Sequence, residues 1–290
     1  MSWRTVVITK SSKLDYQMGF MVVRQDKTVK IHLGEISNVI IETTAVSITA
    51  ALLCELVKKK IKVIFCDEKR NPSSELIPYY GSHDTSSKIR TQIKWSEDIK
   101  SAVWTEIVSE KIRKQAEHLK HRGKNESNVL LEYVSEVEFG DNTNREGHAA
   151  KVYFNALFGK DFSRNADSSI NAALNYGYGI ILSAFNREIV ANGYITQLGL
   201  FHDNMFNQFN LGSDLMEPFR PLVDSVVIDL DPKKFEHDEK MYILDLLQYE
   251  VRISDRIEIV NNAIKIYCRS VFDALNDGDL SLIKFYNNEL

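Results

Sequence analysis

The sequence predicts an α+β protein, with an N-terminal β-sandwich-like domain carrying one helix, followed by a larger all-α domain. Three observations lead there. Within the first 66 residues, β-branched and aromatic runs alternate with turn residues. Between residues 68 and 87 the chain carries Pro72, Pro78, Gly81 and several Ser, Asn and Asp. Beyond that interval, apolar residues recur at helical spacing.

In chain order, strands are expected over residues 5–9, 20–24, 29–32 and 39–42. A helix capped by Thr44 or Ser47 follows, placing Ile48, Leu52, Leu56 and Val57 on one face. A strand over residues 62–66 completes the sandwich, with a further short strand at residues 76–79. The β-rich domain is expected to span residues 1–82, with a linker to about 92. The helical domain takes residues 83–290, with helices over 93–119, 129–136, 145–158, 169–192, 214–222 and 238–275. Residues 195–212 form a long loop rich in His, Asn and Phe, too unusual in composition for a plain linker.

Composition narrows the function classes. At 290 residues, 44% hydrophobic and 26% charged, the chain is of ordinary globular type, long enough for two domains. The opening residues are broken by polar and charged side chains, so no secretory leader is expected, and no apolar run approaches the ~20 residues of a membrane span. Cys54, Cys66 and Cys268 lack metal-ligand spacing and lie in apolar neighbourhoods, as expected of buried reduced thiols in the cytoplasm. Net charge is −4, but residues 88–124 carry ten Lys or Arg against five Asp or Glu. A solvated helix face explains such a stretch more readily than DNA does, although Lys111, Arg113 and Lys114 are candidate backbone contacts within it.

There is no phosphate-binding glycine loop, no dinucleotide fingerprint, no HExxH and no GxSxG. Phosphate chemistry without such motifs commonly uses a hard divalent cation on carboxylates with one imidazole. Glu146, in the first turn of a helix, could be a ligand or simply complement the helix dipole. His202, in Gly199-Leu200-Phe201-His202, could be a ligand or an ordinary hydrogen-bonded side chain. Asp214 and Glu217 share one side of a helical turn and could equally form a capping box. The helix around Asn175-Tyr176-Gly177-Tyr178-Gly179 carries a buried stripe of Ile170, Leu174, Gly177, Ile181, Phe185 and Ile189, and close backbone packing would account for its glycines.

In this order, the Arg145-Glu146 helix, the Asn171-Ala172-x-Leu174-Asn175-Tyr176-Gly177-Tyr178 helix, the Gly199-Leu200-x-His202 loop and the turn Asp214-Leu215-Met216-Glu217-Pro218-Phe219-Arg220-Pro221 resemble the CRISPR-associated protein one family. The short form and the EPFRP turn look most like its type II-A branch. The resemblance implies that Glu146, His202 and Glu217 hold Mg²⁺ or Mn²⁺, with Asp214 as a supporting partner or alternate ligand. It implies an integrase and DNA endonuclease, in which a 3′-hydroxyl of captured DNA attacks a phosphodiester at the edge of a repeat. It implies a homodimer formed through the β-rich domain, a dimer of CRISPR-associated protein two, double-stranded protospacer and repeat DNA, and other type II-A adaptation proteins as partners, with no membrane. Basic residues near the domain junction would hold DNA, and Lys88, Arg90 and Lys94 fall there. A structure-selective repair endonuclease and a non-enzymatic DNA-binding scaffold are the rival readings.

Overall fold

A computed structural model describes residues 4–68, 70–78 and 82–287. The chain divides into two compact units, Met1–His83 and Asp84–Leu290.

The first unit contains β1 (Arg4–Ile8), β2 (Ser12–Gln17), β3 (Phe20–Arg24), β4 (Thr28–His32), β5 (Ile36–Ile41), β6 (Val46–Ile48), α1 (Ala50–Lys58), β7 (Lys62–Cys66) and β8 (Pro72–Glu75). One sheet has the order β1-β5-β7-β8, in which β1, β5 and β7 run parallel and β8 antiparallel. The other has the order β4-β3-β2-β6, antiparallel except for the parallel pair β2 and β6. Every residue of β5 is buried, as suits a strand covered on both faces. Ile8, Leu14, Met21, Val39, Leu52, Leu56 and Val63 belong to one apolar core drawn from both sheets and α1.

Several expectations are corrected here. β2 and β6 had no counterpart among the expected strands, because Ser12–Gln17 is mostly polar and Ile48 of β6 was expected on the helix face. β8 tolerates Pro72 at its first position because it is an edge strand. The strand expected at 76–79 lies instead at Pro72–Glu75, and Tyr79 falls outside the described residues. The cap of α1 is Thr49, whose hydroxyl accepts from the Leu52 amide at 3.4 Å, so neither Thr44 nor Ser47 starts it. Cys54 is exposed on α1, whereas Cys66 and Cys268 are buried.

The second unit is helical: α2 (Thr85–Ile93), α3 (Glu97–His121), α4 (Glu126–Ser135), α5 (Arg145–Phe158), α6 (Ser169–Ala191), α7 (Asn210–Leu215), α8 (Arg220–Leu230), α9 (His237–Leu244) and α10 (Val260–Asp277). A hairpin of β9 (Glu250–Ile253) and β10 (Arg256–Ile259) interrupts it. The helix expected at 93–119 is α3, which starts at Glu97 because Ser96 caps it by accepting from the Ile99 amide, while α2 occupies Thr85–Ile93, where a linker was expected. The helix expected at 214–222 is α7, one 3-10 turn over Glu217–Phe219, and α8. The single helix expected at 238–275 is α9, the hairpin and α10. Residues 250–259 alternate polar and apolar about Ser254 and Asp255, whose φ of 51° and 60° makes the two-residue turn that matches strand twist.

α3 carries the basic stretch, yet its buried residues include Glu110, Lys111, Lys114, Gln115 and His118. α6 is buried along Leu174, Gly177, Ile181, Phe185 and Ile189. Among the described residues, no helix is long and apolar enough to cross a membrane.

Candidate active site

A cavity of about 270 Å³ in the helical unit is lined by residues from α3, α5, α6, α8 and the loops between them. Glu146, His202 and Glu217 all line it. Each is placed by a distinct local device.

Glu146 stands in the first turn of α5. Asp141 accepts the Arg145 and Glu146 amides at 2.7 and 3.2 Å, and Asn144 accepts the Gly147 amide at 3.3 Å. The helix start is therefore well satisfied by neighbouring side chains, and Glu146 is left to point elsewhere.

His202 is held by Asp214, which is fully buried. The Asp214 carboxylate accepts from the backbone amides of Leu200, Phe201 and His202 at 2.6, 3.2 and 3.2 Å, and from His202 Nδ1 at 2.5 Å. Because a carboxylate only accepts, His202 carries its proton on Nδ1, and in the neutral ring Nε2 keeps the lone pair. The hydrogen bond to Asp214 holds the His202 imidazole above its usual pKa. Gly199 makes the tight loop possible, since a Cβ there would stand 2.3 Å from the His202 carbonyl oxygen and 2.6 Å from Asp214 Oδ2.

Glu217 opens the 3-10 turn and is buried. Arg220 Nε donates to it at 2.9 Å. Lys111, from α3, donates its ammonium to both Glu146 and Glu217. Burial works to raise the Glu217 pKa, but the charges of Arg220 and Lys111 override it and hold the carboxyl below its ordinary value. Burial would likewise discharge Lys111, yet Glu217 and Glu146 keep it protonated with a raised pKa. Behind this layer, Tyr178 donates to Asp224 at 2.5 Å, and burial lifts the Asp224 carboxyl to about 6 despite that bond. The Arg220 guanidinium lies over the Tyr178 ring, 4.7 Å from its centroid.

Among the described residues, no three His, Cys, Asp or Glu side chains stand in a metal-binding arrangement, and Glu146 and Glu217 close on the Lys111 ammonium. The donor chemistry nevertheless suits a hard divalent cation. The pair of carboxylates already holds a cation, an imidazole lone pair is kept available by Asp214, and Gln115, whose amide oxygen is buried without a partner, is among the residues of the same cavity.

The residues proposed for DNA contact separate. Lys111 is in the cavity wall. Lys114 is buried, with its ammonium 3.0 Å from Glu117, 3.3 Å from Asn287 and over the Tyr286 ring. Arg113 pairs with Glu110 on its own helix. Lys111 and Lys114 therefore do not form the solvated basic face expected of them. Arg90 and Lys94 are exposed at α2, and Lys88 is half-buried there with its ammonium 5.6 Å from the Tyr194 ring. Sequence reasoning missed Trp104, Gln115, Arg164, Tyr178, Arg220 and Asp224 as cavity residues. Arg220 had a signal, standing three residues after Glu217 on a helical turn.

A family model described as CRISPR associated protein Cas1 matches residues 5–246. The chain is 35% identical over 260 residues to the CRISPR-associated endonuclease Cas1 of Neisseria meningitidis serogroup C (strain 8013), covering 87% of this chain and 86% of that one. It is 30% identical over 241 residues to CRISPR-associated endonuclease Cas1 1 of Pyrobaculum aerophilum, covering 76% and 79%. Among solved structures, a casposase bound to integration product superposes with a TM-score of 0.79 at 17% identity, over 96% of this chain and 91% of that one. A CAS1 protein from Thermotoga maritima gives 0.77 at 16% identity, over 94% and 97%. A Cas6-RT-Cas1–Cas2 complex gives 0.74 at 17% identity over 97% of this chain, which spans only 36% of that longer chain. The motif order, the strand-rich and helical units, and a family match running through Glu146, His202 and Glu217 agree, and this chain belongs to the Cas1 family of CRISPR-associated proteins.

Proposed function

We propose that this chain is a metal-dependent DNA integrase of CRISPR adaptation, with endonuclease activity, and that Glu146, His202 and Glu217 are its metal ligands. The observation that carries the reading is the convergence of these three side chains on one cavity, although 55 residues separate Glu146 from His202 in the chain. The names of the relatives, and the casposase held with its integration product, support a DNA-processing activity.

A Mg²⁺ or Mn²⁺ ion bound by the three ligands would neutralise charge on the phosphate oxygens of the reacting diester. The chain's own residues do the rest. Asp214 fixes the tautomer and orientation of His202 through the hydrogen bond at Nδ1. Arg220 and Lys111 keep the buried Glu217 carboxylate ionised before the metal arrives, and Lys111 also pairs with the half-buried Glu146. In the reaction, an incoming 3′-hydroxyl oxygen forms a new bond to phosphorus while the bond to the leaving 3′-oxygen of the repeat breaks. The number of phosphodiesters is conserved, so no nucleotide hydrolysis is required.

The reading extends to a homodimer formed through the β-rich unit, assembly with a dimer of Cas2, and other type II-A adaptation proteins. Support for Cas2 comes from the fold shared with a chain solved in a Cas1–Cas2 complex, and for the type II-A branch from the EPFRP turn. A repair endonuclease would share the same ligands but would not need a repeat. The deciding experiment is integration into supercoiled plasmid bearing a repeat, with the Cas2 partner and Mg²⁺ or Mn²⁺. Joining at the repeat edge, lost in Glu146→Ala, His202→Ala and Glu217→Ala while each variant stays folded, is the expected result. Cleavage of branched DNA without joining would favour the repair reading instead.

A further inference from the structure

Glu217 is held by more than its two cations. After α10 the chain returns across the helical unit, and three contacts pin that return. The Lys284 amide donates to Ser270 Oγ on α10 at 3.0 Å. The Asn287 amide and carbonyl pair with the Arg252 carbonyl and amide of β9 at 2.7 and 2.9 Å, as an antiparallel bridge. The Asn287 side-chain oxygen accepts from the Lys114 ammonium of α3 at 3.3 Å. Between these anchors Tyr286 points inward and is fully buried.

Tyr286 meets the turn that carries Glu217. Its hydroxyl donates to the Pro218 carbonyl at 3.0 Å, and its ring lies against Phe219 with centroids 4.6 Å apart. The Lys114 ammonium stands 5.1 Å from the centroid of the same ring. Lys114 is one turn along α3 from Lys111, whose ammonium holds Glu217. Tyr286 therefore touches both the turn that presents the carboxylate and the helix that presents its counter-ion. Filling this space with an aromatic ring needs no hydroxyl, and a buried phenol is costly without a partner. Here the hydroxyl fixes a backbone atom adjoining Glu217. The turn has need of an outside tie, because Pro218 has no amide to donate within it.

We propose that Tyr286 is a positioning residue for Glu217. By tying the Pro218 carbonyl and bracing Phe219, it sets where the Glu217 carboxylate stands against Lys111, and so how tightly the site takes a divalent cation. The effect on the cation rests on the reading of Glu217 as a metal ligand, whereas the effect on the ion pair does not.

The test uses the full chain. Tyr286→Phe keeps the ring and removes only the tie. Tyr194→Phe is the comparison, since Tyr194 is also buried, packs on Phe272 with centroids 4.3 Å apart, and accepts from Asn276 at 2.9 Å through its hydroxyl. In metal-free protein each change should lower the melting temperature by about 2–4 °C. Combined with Glu217→Gln, Tyr286→Phe should cost clearly less than it does alone, because the ion pair it supports is already gone, while Tyr194→Phe should cost the same. In Mn²⁺ titrations Tyr286→Phe should bind about 10-fold more weakly, and Tyr194→Phe should match the parent. A merely structural tyrosine would move the melt alone. An equal cost of Tyr286→Phe with and without Glu217→Gln, or an Mn²⁺ affinity that Tyr286→Phe leaves unaltered, would overturn the proposal. If the parent takes up no Mn²⁺ but the two changes are still coupled in the melt, the metal reading fails and the positioning of Glu217 stands. Mn²⁺ binding that is equal in the parent and Tyr286→Phe, yet lost in Glu217→Ala, is the converse.

Discussion

At the scale of single residues, the chemistry rests on charges that neutralise one another out of water. Lys111 and Glu217 are both fully or nearly buried, so removing one partner leaves the other unpaired. Lys111→Met is therefore expected to destabilise the metal-free protein by about 3 kcal/mol, and added Mn²⁺ should recover more of the melting temperature than it adds to the parent. A melt unaffected by Mn²⁺ in the variant would argue against a cation site between Glu146 and Glu217. The second expectation concerns protons. Asp214 holds the His202 pKa above the usual ~6.5, and an imidazolium cannot bind a metal. Metal affinity should then fall as pH drops through a value above ~6.5, and Asp214→Asn should move that limb to lower pH while weakening binding. Mn²⁺ titration across pH checks this, and a limb moving upward in the variant would be incompatible with it. Sequence motifs pointed to Glu146, His202 and Glu217, but not to Lys111 as their neighbour. Its partners lie 35 and 106 residues away, and neither composition nor period reveals such pairings.

Elements were legible where one periodic pattern coincided with clear end signals. The strands Phe20–Arg24 and Lys62–Cys66 and the helix Arg145–Phe158 have the bounds expected from sequence. The hairpin after α9 was not, since a helical pattern before and after it hid ten alternating residues. α3 shows the opposite difficulty, because its polar composition reads as a solvated face while tertiary pairing draws Glu110, Lys111 and Lys114 inside. The helix α6 permits a test of close packing. A Cβ at Gly177 would stand 2.4 Å from Val223 Cγ1 on α8 and 3.2 Å from Ile243 Cγ2 on α9. Alanine gains about 1 kcal/mol in helix propensity, but Val223 is fully buried and has little room to yield. Gly177→Ala should therefore be destabilising by about 1–2 kcal/mol, lowering the melting temperature by about 2–8 °C. Because α8 begins at Arg220, DNA joining should fall more than stability does. Recovery of the melt in Gly177→Ala/Val223→Ala would assign the loss to this contact, whereas a single variant as stable as the parent would show that α8 moves freely.

On the scale of the whole molecule, the proposed function assigns different tasks to the two units. The apolar core from Val6 to Val63 is complete within the first unit, and every hydrogen-bond partner named for the cavity residues lies beyond His83. The first unit also has an open edge at β4, where Thr28–His32 is largely exposed and Val29 is 51% accessible. Such an edge offers unpaired backbone groups to another chain, and a second copy is an economical cover for it. A fragment beginning near Ser82 is accordingly expected to fold, remain monomeric and bind Mn²⁺ as the intact chain does. It should integrate poorly, because joining two ends of one DNA needs two coupled sites. The segment 1–80 should dimerise and leave DNA uncut, and Val29→Lys, which puts a charge on the exposed face of the edge strand, should shift it toward monomer. Sedimentation of both fragments, with Mn²⁺ titration of the helical one, separates the possibilities. A dimeric helical fragment would place the dimer contact in the catalytic unit, and metal binding that requires residues before Ser82 would mean that the site is not contained in that unit.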